Sequence, residues 1–325
     1  MKKTTAILLS LCLLAGLLAG CGAEGGTTGT KKLSVVTTIF PMYDWIRQIA
    51  GDNLDNIELT MLLDNGVDLH SYQPNAQDIV KVSSCDLFVY VGGESDKWVD
   101  DALASASNPN RIVVNLLESL GDAVKEEELV EGMEAEEEEE SGAEEGPEYD
   151  EHVWLSLRNA SALCRLLSEK LGEVDPQNAD LYTQNTQAYT EKLTALDAQY
   201  QAAVDGASVK TLLFADRFPF RYMAEDYGLQ YYAAFAGCSA ETEASFKTIL
   251  FLAGKVDELG LHSVLQIESA DGSIARTVCE NTAAKDQQVL TMNSLQSVTA
   301  QDVEDGASYL AIMTENLSTL QAALQ

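Results

Sequence analysis

Eight short runs of β-branched and apolar residues alternate along this chain with stretches of helical periodicity. They fall in two sets of four on either side of one long amphipathic stretch. The first set is Leu33 to Ile39, Ile57 to Leu62, Asp86 to Val91 and Ile112 to Leu116. The second is Lys210 to Ala215, Tyr231 to Phe235, Val264 to Ile267 and Gln288 to Met292. Strands that alternate with helices predict a parallel sheet with crossover helices, here twice over. Between the sets, Tyr182, Asn185, Tyr189, Leu193, Leu196 and Tyr200 recur at three-to-four residue spacing, one face of a helix about seven turns long. The fold class is therefore α/β: two Rossmann-like parallel-sheet domains joined by a long linking helix.

The local punctuation agrees. Helices are expected from Met42 to Ala50 after Pro41, from Pro219 to Tyr227 with Gly228 closing it, and from Phe246 to Leu259 with Ser245 as its cap. Asp175-Pro176 is expected to open the linking helix with Pro in its tolerated first turn. Asp302 to Leu324 is expected to form one closing helix.

The N-terminus reads differently. Met1-Lys2-Lys3 is basic, an apolar core follows, and Leu18-Ala19-Gly20-Cys21 ends in small residues. That pattern is a secretory signal rather than a membrane span, and its last four residues look like a lipobox whose Cys21 becomes lipidated. Acyl chains there hold a domain at a bilayer, each buried methylene adding roughly 0.8 kcal/mol. The expected organisation is a signal peptide over 1–20, a lipid-anchored tether over 21–31, and an N-terminal lobe over 32–174 carrying an acidic loop at 126–151. A linking helix over 175–206 and a C-terminal lobe over 207–325 complete it.

A net charge of −32 excludes a nucleic-acid partner, which needs a basic face. Cys85, Cys164, Cys238 and Cys279 show no CxxC spacing, so no zinc knuckle or redox pair is visible, and any disulfide among them stays open. Cys85 and Cys164 sit in apolar surroundings, as buried small hydrophobes do. Glu126 to Glu151 is almost wholly Glu with Gly, Ala and Pro, and is expected to be a solvated loop. It either collects cations by charge or serves as a spacer.

The chain has 3 histidines. His70 lies in a turn-rich stretch after the second strand, within Asp68-Leu69-His70-Ser71-Tyr72. His152 directly follows the acidic loop, in Glu151-His152-Val153-Trp154-Leu155. Imidazole is the commonest transition-metal ligand, and polar residues at strand ends in open α/β sheets converge on ligands. The strand ends supply His70 and Tyr72, His152, Asp216-Arg217, Glu268 and Asn293. His262, inside Gly260-Leu261-His262-Ser263, reads as a surface residue, and Trp154 as packing beneath the site.

From Lys32 to the C-terminus the chain resembles the bacterial zinc/manganese solute-binding lipoproteins of ABC importers, a family that includes adhesin-like members. Thr37-Thr38-Ile39-Phe40-Pro41-Met42-Tyr43-Asp44 is similar to the family's opening strand and turn, and the two histidine segments resemble its first and second ligand loops. Tyr222-Met223-Ala224 with Tyr227-Gly228-Leu229 resembles the helix after its third ligand. Glu241-Thr242-Glu243-Ala244-Ser245 is similar to the segment leading into its interdomain helix. The resemblance implies an extracytoplasmic receptor, anchored to the cell membrane through Cys21, that captures a divalent metal between two lobes and delivers it to a membrane permease. Zinc is the expected ion and manganese the alternative.

The same resemblance implies a ligand set of His70, His152, Asp216, Glu268 and Asn293, with Arg217 and Tyr72 modifying the site. Arg217 falls where the family places a histidine or glutamate ligand, and a guanidinium has no lone pair to give a metal. Either Asp216 turns in and Arg217 pairs with a carboxylate, or the site has only three protein ligands. Glu268 either ligates or pairs with Arg217, and Asn293 offers a neutral amide oxygen. Capture requires no catalysis, so the chain is not expected to be an enzyme. A metal-dependent hydrolase is the rival, without an HExxH or nucleophile-elbow motif to support it. The Arg217 and Asn293 departures keep open a surface adhesin or receptor with a degenerate metal site.

Overall fold

The computed structural model describes residues 32–105, 107–134, 148–239 and 243–325. The expected signal peptide, Cys21, the tether and the centre of the acidic loop (135–147) lie outside the described residues.

The N-terminal lobe is a four-stranded parallel sheet of β1 (Leu33–Thr37), β2 (Ile57–Met61), β3 (Leu87–Tyr90) and β4 (Ile112–Asn115), in spatial order β2-β1-β3-β4. Helices α1 (Phe40–Ala50), α2 (Ala76–Ser84) and α3 (Trp98–Ala104) make the crossovers, and α4 (Leu116–Leu120) follows β4. Helices α5 (Leu157–Val174) and α6 (Ala179–Gly206) lead to a second parallel sheet of β5 (Thr211–Phe218), β6 (Gln230–Ala236), β7 (Ser263–Ile267) and β8 (Gln288–Met292). Its order is β6-β5-β7-β8. Helices α7 (Arg221–Tyr227), α8 (Phe246–Leu259) and α9 (Ser273–Asn281) cross over there, and α10 (Ala300–Glu304) and α11 (Tyr309–Ala323) close the chain. All eight expected strands form, and both sheets are wound alike. Each therefore has a switch point, β1/β3 and β5/β7, where strand C-termini open onto a crevice.

Helix α6 spans about 42 Å at 1.5 Å per residue. Its buried face, Tyr182, Tyr189, Leu193, Leu196, Tyr200 and Val204, follows the spacing read from the sequence. Near one end the Tyr182 hydroxyl accepts from Asn53 Nδ2 at 2.6 Å; near the other the Tyr200 hydroxyl donates to the Met313 carbonyl at 2.6 Å. One helix thus fastens to both halves. The predicted Ser245 cap of α8 and the left-handed Gly228 at the end of α7 are both present.

Three expectations are corrected. The long helix starts at Ala179, not at Asp175-Pro176, because the Asp175 carboxylate draws Asn53, Asn178 and Tyr182 into a turn that separates it from α5. The closing helix is two helices: Gly306 takes φ +102°, and Ser308 caps α11 anew. The described ends of the acidic loop are packed rather than solvated. Glu126 bridges Tyr149 in antiparallel fashion, Glu127 N donates to the Glu148 carbonyl at 2.9 Å, and Asp150 and Glu151 are almost wholly buried. Glu127, Asp150 and Glu151 accept the backbone N–H groups of Cys238, His152 and Ser95, while Glu126, Glu128 and Glu148 stay exposed.

The fully buried Asp44 of α1 joins the first helix to the last. Its Oδ2 accepts the Tyr309 backbone N–H at 2.9 Å, at the first residue of α11. Asp44→Ala would orphan that buried donor and is expected to cost about 2–3 kcal/mol of unfolding free energy, with Asp44→Asn milder because it keeps an acceptor. Urea denaturation of the three proteins measures it; equal midpoints would show that the contact contributes nothing.

Candidate metal centre

His70 sits within a single 3-10 turn, Leu69–Ser71, whose cap is Asp68: the Asp68 carboxylate accepts the His70 backbone N–H at 3.0 Å. His152 precedes a second such turn, Val153–Leu155. These residues are 82 apart in sequence, yet their Nε2 atoms stand 3.2 Å apart. Two donors about 2.0–2.1 Å from one zinc ion at a near-tetrahedral angle present that separation.

The tautomers follow from the partners on the far side of each ring. His152 Nδ1 lies 3.0 Å from Asp150 Oδ1, and a carboxylate can only accept, so Nδ1–H donates and Nε2 keeps its lone pair. The same Asp150 oxygen accepts the His152 backbone N–H at 2.9 Å. His70 Nδ1 lies 2.8 Å from Ser95 Oγ and 3.5 Å from Glu151 Oε2, partners that favour the proton on Nδ1. Burial, and then the facing His152 ring, push His70 down to about 3, so it is neutral with a lone pair to give. Burial pushes Glu151 up to about 7, against the hydrogen bonds from Ser95.

The structure adds a residue that the sequence reading did not include. Cys238, just past the end of β6, brings its Sγ to the two histidines: one donor atom from each of the three lies within 4.8 Å of the others. Desolvation raises its thiol well above the usual value, with Asp150, Glu127 and Glu151 adding to the rise. The close approach has a visible requirement. A Cβ on Gly237 would stand 3.1 Å from the His152 ring and 2.9 Å from the Phe218 carbonyl. On the other side, a Cβ on Gly93, at φ +81°, would collide with the Glu151 carboxylate. A cavity of about 300 Å³ opens from this cluster, lined by His70, Ser95, Glu151 and Cys238, with Glu94, Glu127 and Glu148 also on its wall. Spacing gave no signal for Cys238, which stands alone in a small-residue loop.

The remaining expected ligands make hydrogen bonds of their own. Asp216 accepts from the backbone N–H groups of Arg217 and Ile267 at 2.8 and 3.0 Å, and lines a separate cavity of about 370 Å³ with Glu243 and Asp271. Glu268 takes both the N–H and the hydroxyl of Ser294, at 2.7 and 2.8 Å, rather than pairing with Arg217. Asn293 Oδ1 accepts the Leu295 N–H at 2.7 Å and supports a turn in which Leu295 has φ +63°. Tyr72 donates to Asp78 at 2.9 Å and packs on Trp98, away from the histidines. Trp154 is buried against His152, ring centroids 5.2 Å apart, and donates to the Ser294 carbonyl. His262 is exposed.

Arg217 does pair with a carboxylate, and it is Asp68. Nη2 donates to Asp68 Oδ2 at 2.7 Å, while Nη1 donates to the Ser239 carbonyl at 3.2 Å. Burial works to raise Asp68, but the Arg217 charge, then His70, overcomes it and holds the carboxyl below its usual value.

Over residues 35–323 the chain matches the family described as zinc-uptake complex component A, periplasmic. The chain belongs to that family. It is 32% identical over 323 residues to the zinc-binding lipoprotein AdcA of Streptococcus pneumoniae, covering 99% of this chain and 61% of that relative. It thus spans about three-fifths of AdcA's length. It is 30% identical to the high-affinity zinc uptake system protein ZnuA of Bacillus subtilis, covering 99% and 98%. The Zn(II)-bound ZnuA-like domain of S. pneumoniae AdcA superposes with a TM-score of 0.70 at 27% identity, over 90% of this chain and 99% of that one. The metal-dependent lipoprotein YcdH of B. subtilis does so with a TM-score of 0.72 at 27% identity, over 90% and 100%. The two-lobed α/β fold is the fold of these proteins.

The Arg217–Asp68 pair is mostly buried, at 13% and 17% side-chain exposure, so removing one partner strands the other. Arg217→Met is expected to destabilise the protein by about 2 kcal/mol, and Asp68→Asn to cost little more once Arg217 is gone. A double-mutant cycle by chemical denaturation measures the coupling; additive losses would mean that the two charges do not act as a pair.

Proposed function

We propose that this protein is an extracytoplasmic zinc-binding receptor of an ABC importer, with His70 and His152 as ligands. The observation that carries the reading is the 3.2 Å approach of two imidazole nitrogens whose other nitrogens are already engaged. Zinc is the substrate rather than a resident cofactor. The protein supplies two buried imidazole donors, orients them through Asp150 and Ser95, and surrounds the cavity with carboxylates whose charge favours a cation. Burial of His152 behind Trp154 and Val153 keeps water from that side of the ion.

AdcA and ZnuA are named as zinc-binding and zinc-uptake proteins, and this chain's membership of their family supports the same cargo. A receptor of that kind hands its ion to a membrane permease, and the lipobox at Cys21 supports attachment to the outer face of the cell membrane. Manganese is the alternative cargo.

Zinc at a hundred times its dissociation constant stabilises a binding protein by about 2.7 kcal/mol. His70→Ala and His152→Ala are each expected to abolish most of the zinc-dependent rise in melting temperature, and His262→Ala to preserve it. Equal zinc-induced shifts in all three variants would refute the site.

A further inference from the structure

We infer that Cys238 is the third metal ligand and that this site is a two-histidine, one-thiolate centre. The inference rests on the receptor reading and specifies its chemistry. Sγ and the imidazole nitrogens form the only cluster of three or more such side chains, among the described residues, with donor atoms mutually within 4.8 Å. The carboxylates of Asp216 and Glu268 and the amide oxygen of Asn293 already accept hydrogen bonds elsewhere.

The topology explains how a cysteine comes to be there. Strands β5 and β6 are parallel neighbours, and Arg217 is in register with Phe235. Cys238 lies three residues beyond that partner, so it emerges beside the position where Arg217 cannot ligate. Arg217 instead joins the two ligand-bearing loops: one guanidinium nitrogen holds Asp68, two residues before His70, and the other holds the carbonyl of Ser239, directly after Cys238. From the acidic segment, Glu127 accepts the Cys238 backbone N–H at 2.9 Å. A positioning arginine with a ligating cysteine just past the adjacent strand does what a single ligand at position 217 would do.

A buried carboxylate lines the same cavity on the Nδ1 side of the His70 ring, opposite the nitrogen that faces His152. Glu151 is 1% exposed and lines the cavity with His70 and Cys238, and its Oε2 accepts no hydrogen bond among the described residues, standing 3.5 Å from His70 Nδ1. Binding breaks the S–H bond, the proton leaves to solvent, and the electron pair becomes the metal's. A thiolate with two imidazoles suits zinc and disfavours manganese, which prefers oxygen donors.

The test titrates the reduced, metal-free chain with cobalt(II), a spectroscopic substitute for zinc. The wild type is expected to develop an intense near-ultraviolet sulfur-to-cobalt charge-transfer band that zinc abolishes. Cys238→Ser should lose the band and bind zinc at least about tenfold more weakly, whereas Cys85→Ser and Cys279→Ser keep both. Cobalt or zinc bound through His70 and His152 with no sulfur band, or wild-type zinc affinity in Cys238→Ser, overturns the thiolate and leaves the receptor standing. A chain that takes up neither ion overturns the receptor itself. The wild-type spectrum decides even where a variant fails to fold.

Discussion

Two buried lone pairs aimed at one point are an electrostatic conflict, and the rest of this structure is arranged around it. His70 and His152 face each other at 3.2 Å with their outer nitrogens engaged by Ser95 and Asp150. A proton on His70 would relieve the conflict, but burial and the neighbouring ring depress that group to about 3. A divalent cation relieves it better, because it takes both lone pairs at once and is stabilised by the carboxylates around it.

Holding two imidazoles in that relation requires rigid neighbours. His70 follows β2 and His152 follows the acidic loop, and each backbone N–H is accepted by an aspartate two residues upstream, Asp68 and Asp150. The C-terminal half then closes over them. Tyr222 donates to the Asp150 carbonyl, Trp154 to the Ser294 carbonyl, and Tyr309 to the Trp154 carbonyl at 2.6 Å. Every one of these contacts joins a residue two positions from His152 to the other sheet's side of the molecule. Displacing the second half would therefore disturb the backbone on which His152 sits.

Much of this was legible in the sequence, and what was not has physical causes. Strand positions and the two histidine loops were readable because periodicity and local turn chemistry are properties of contiguous residues. The start of α6 was placed too early because Asp175 draws a partner, Asn53, from 122 residues away. The acidic segment misled for a related reason: composition sums its charges, whereas the fold gives Glu127, Glu134 and Glu151 separate backbone donors in Cys238, Ser245 and Ser95. Cys238 carried no signal at all. Its significance comes from the register of two neighbouring strands and from an arginine on one of them, neither of which spacing along the chain can express.

Glu127 and Glu134 also change what the acidic segment is. Glu134 N donates to the Ala234 carbonyl on β6 and its side chain accepts from Ser245 N, while Glu127 holds Cys238 N. The beginning of the segment is thus tied to β6 and to the loops that follow it, although it departs from the N-terminal sheet. Each tie to a carboxylate is a charge-assisted hydrogen bond, individually about 1.5–3 kcal/mol. Two of them at 2.6 and 2.9 Å, with a backbone bond between, make this stretch a strap across the two halves. A strap anchored at the Cys238 backbone ties the loop after β6, and with it the cluster of His70, His152 and Cys238, to the acidic segment.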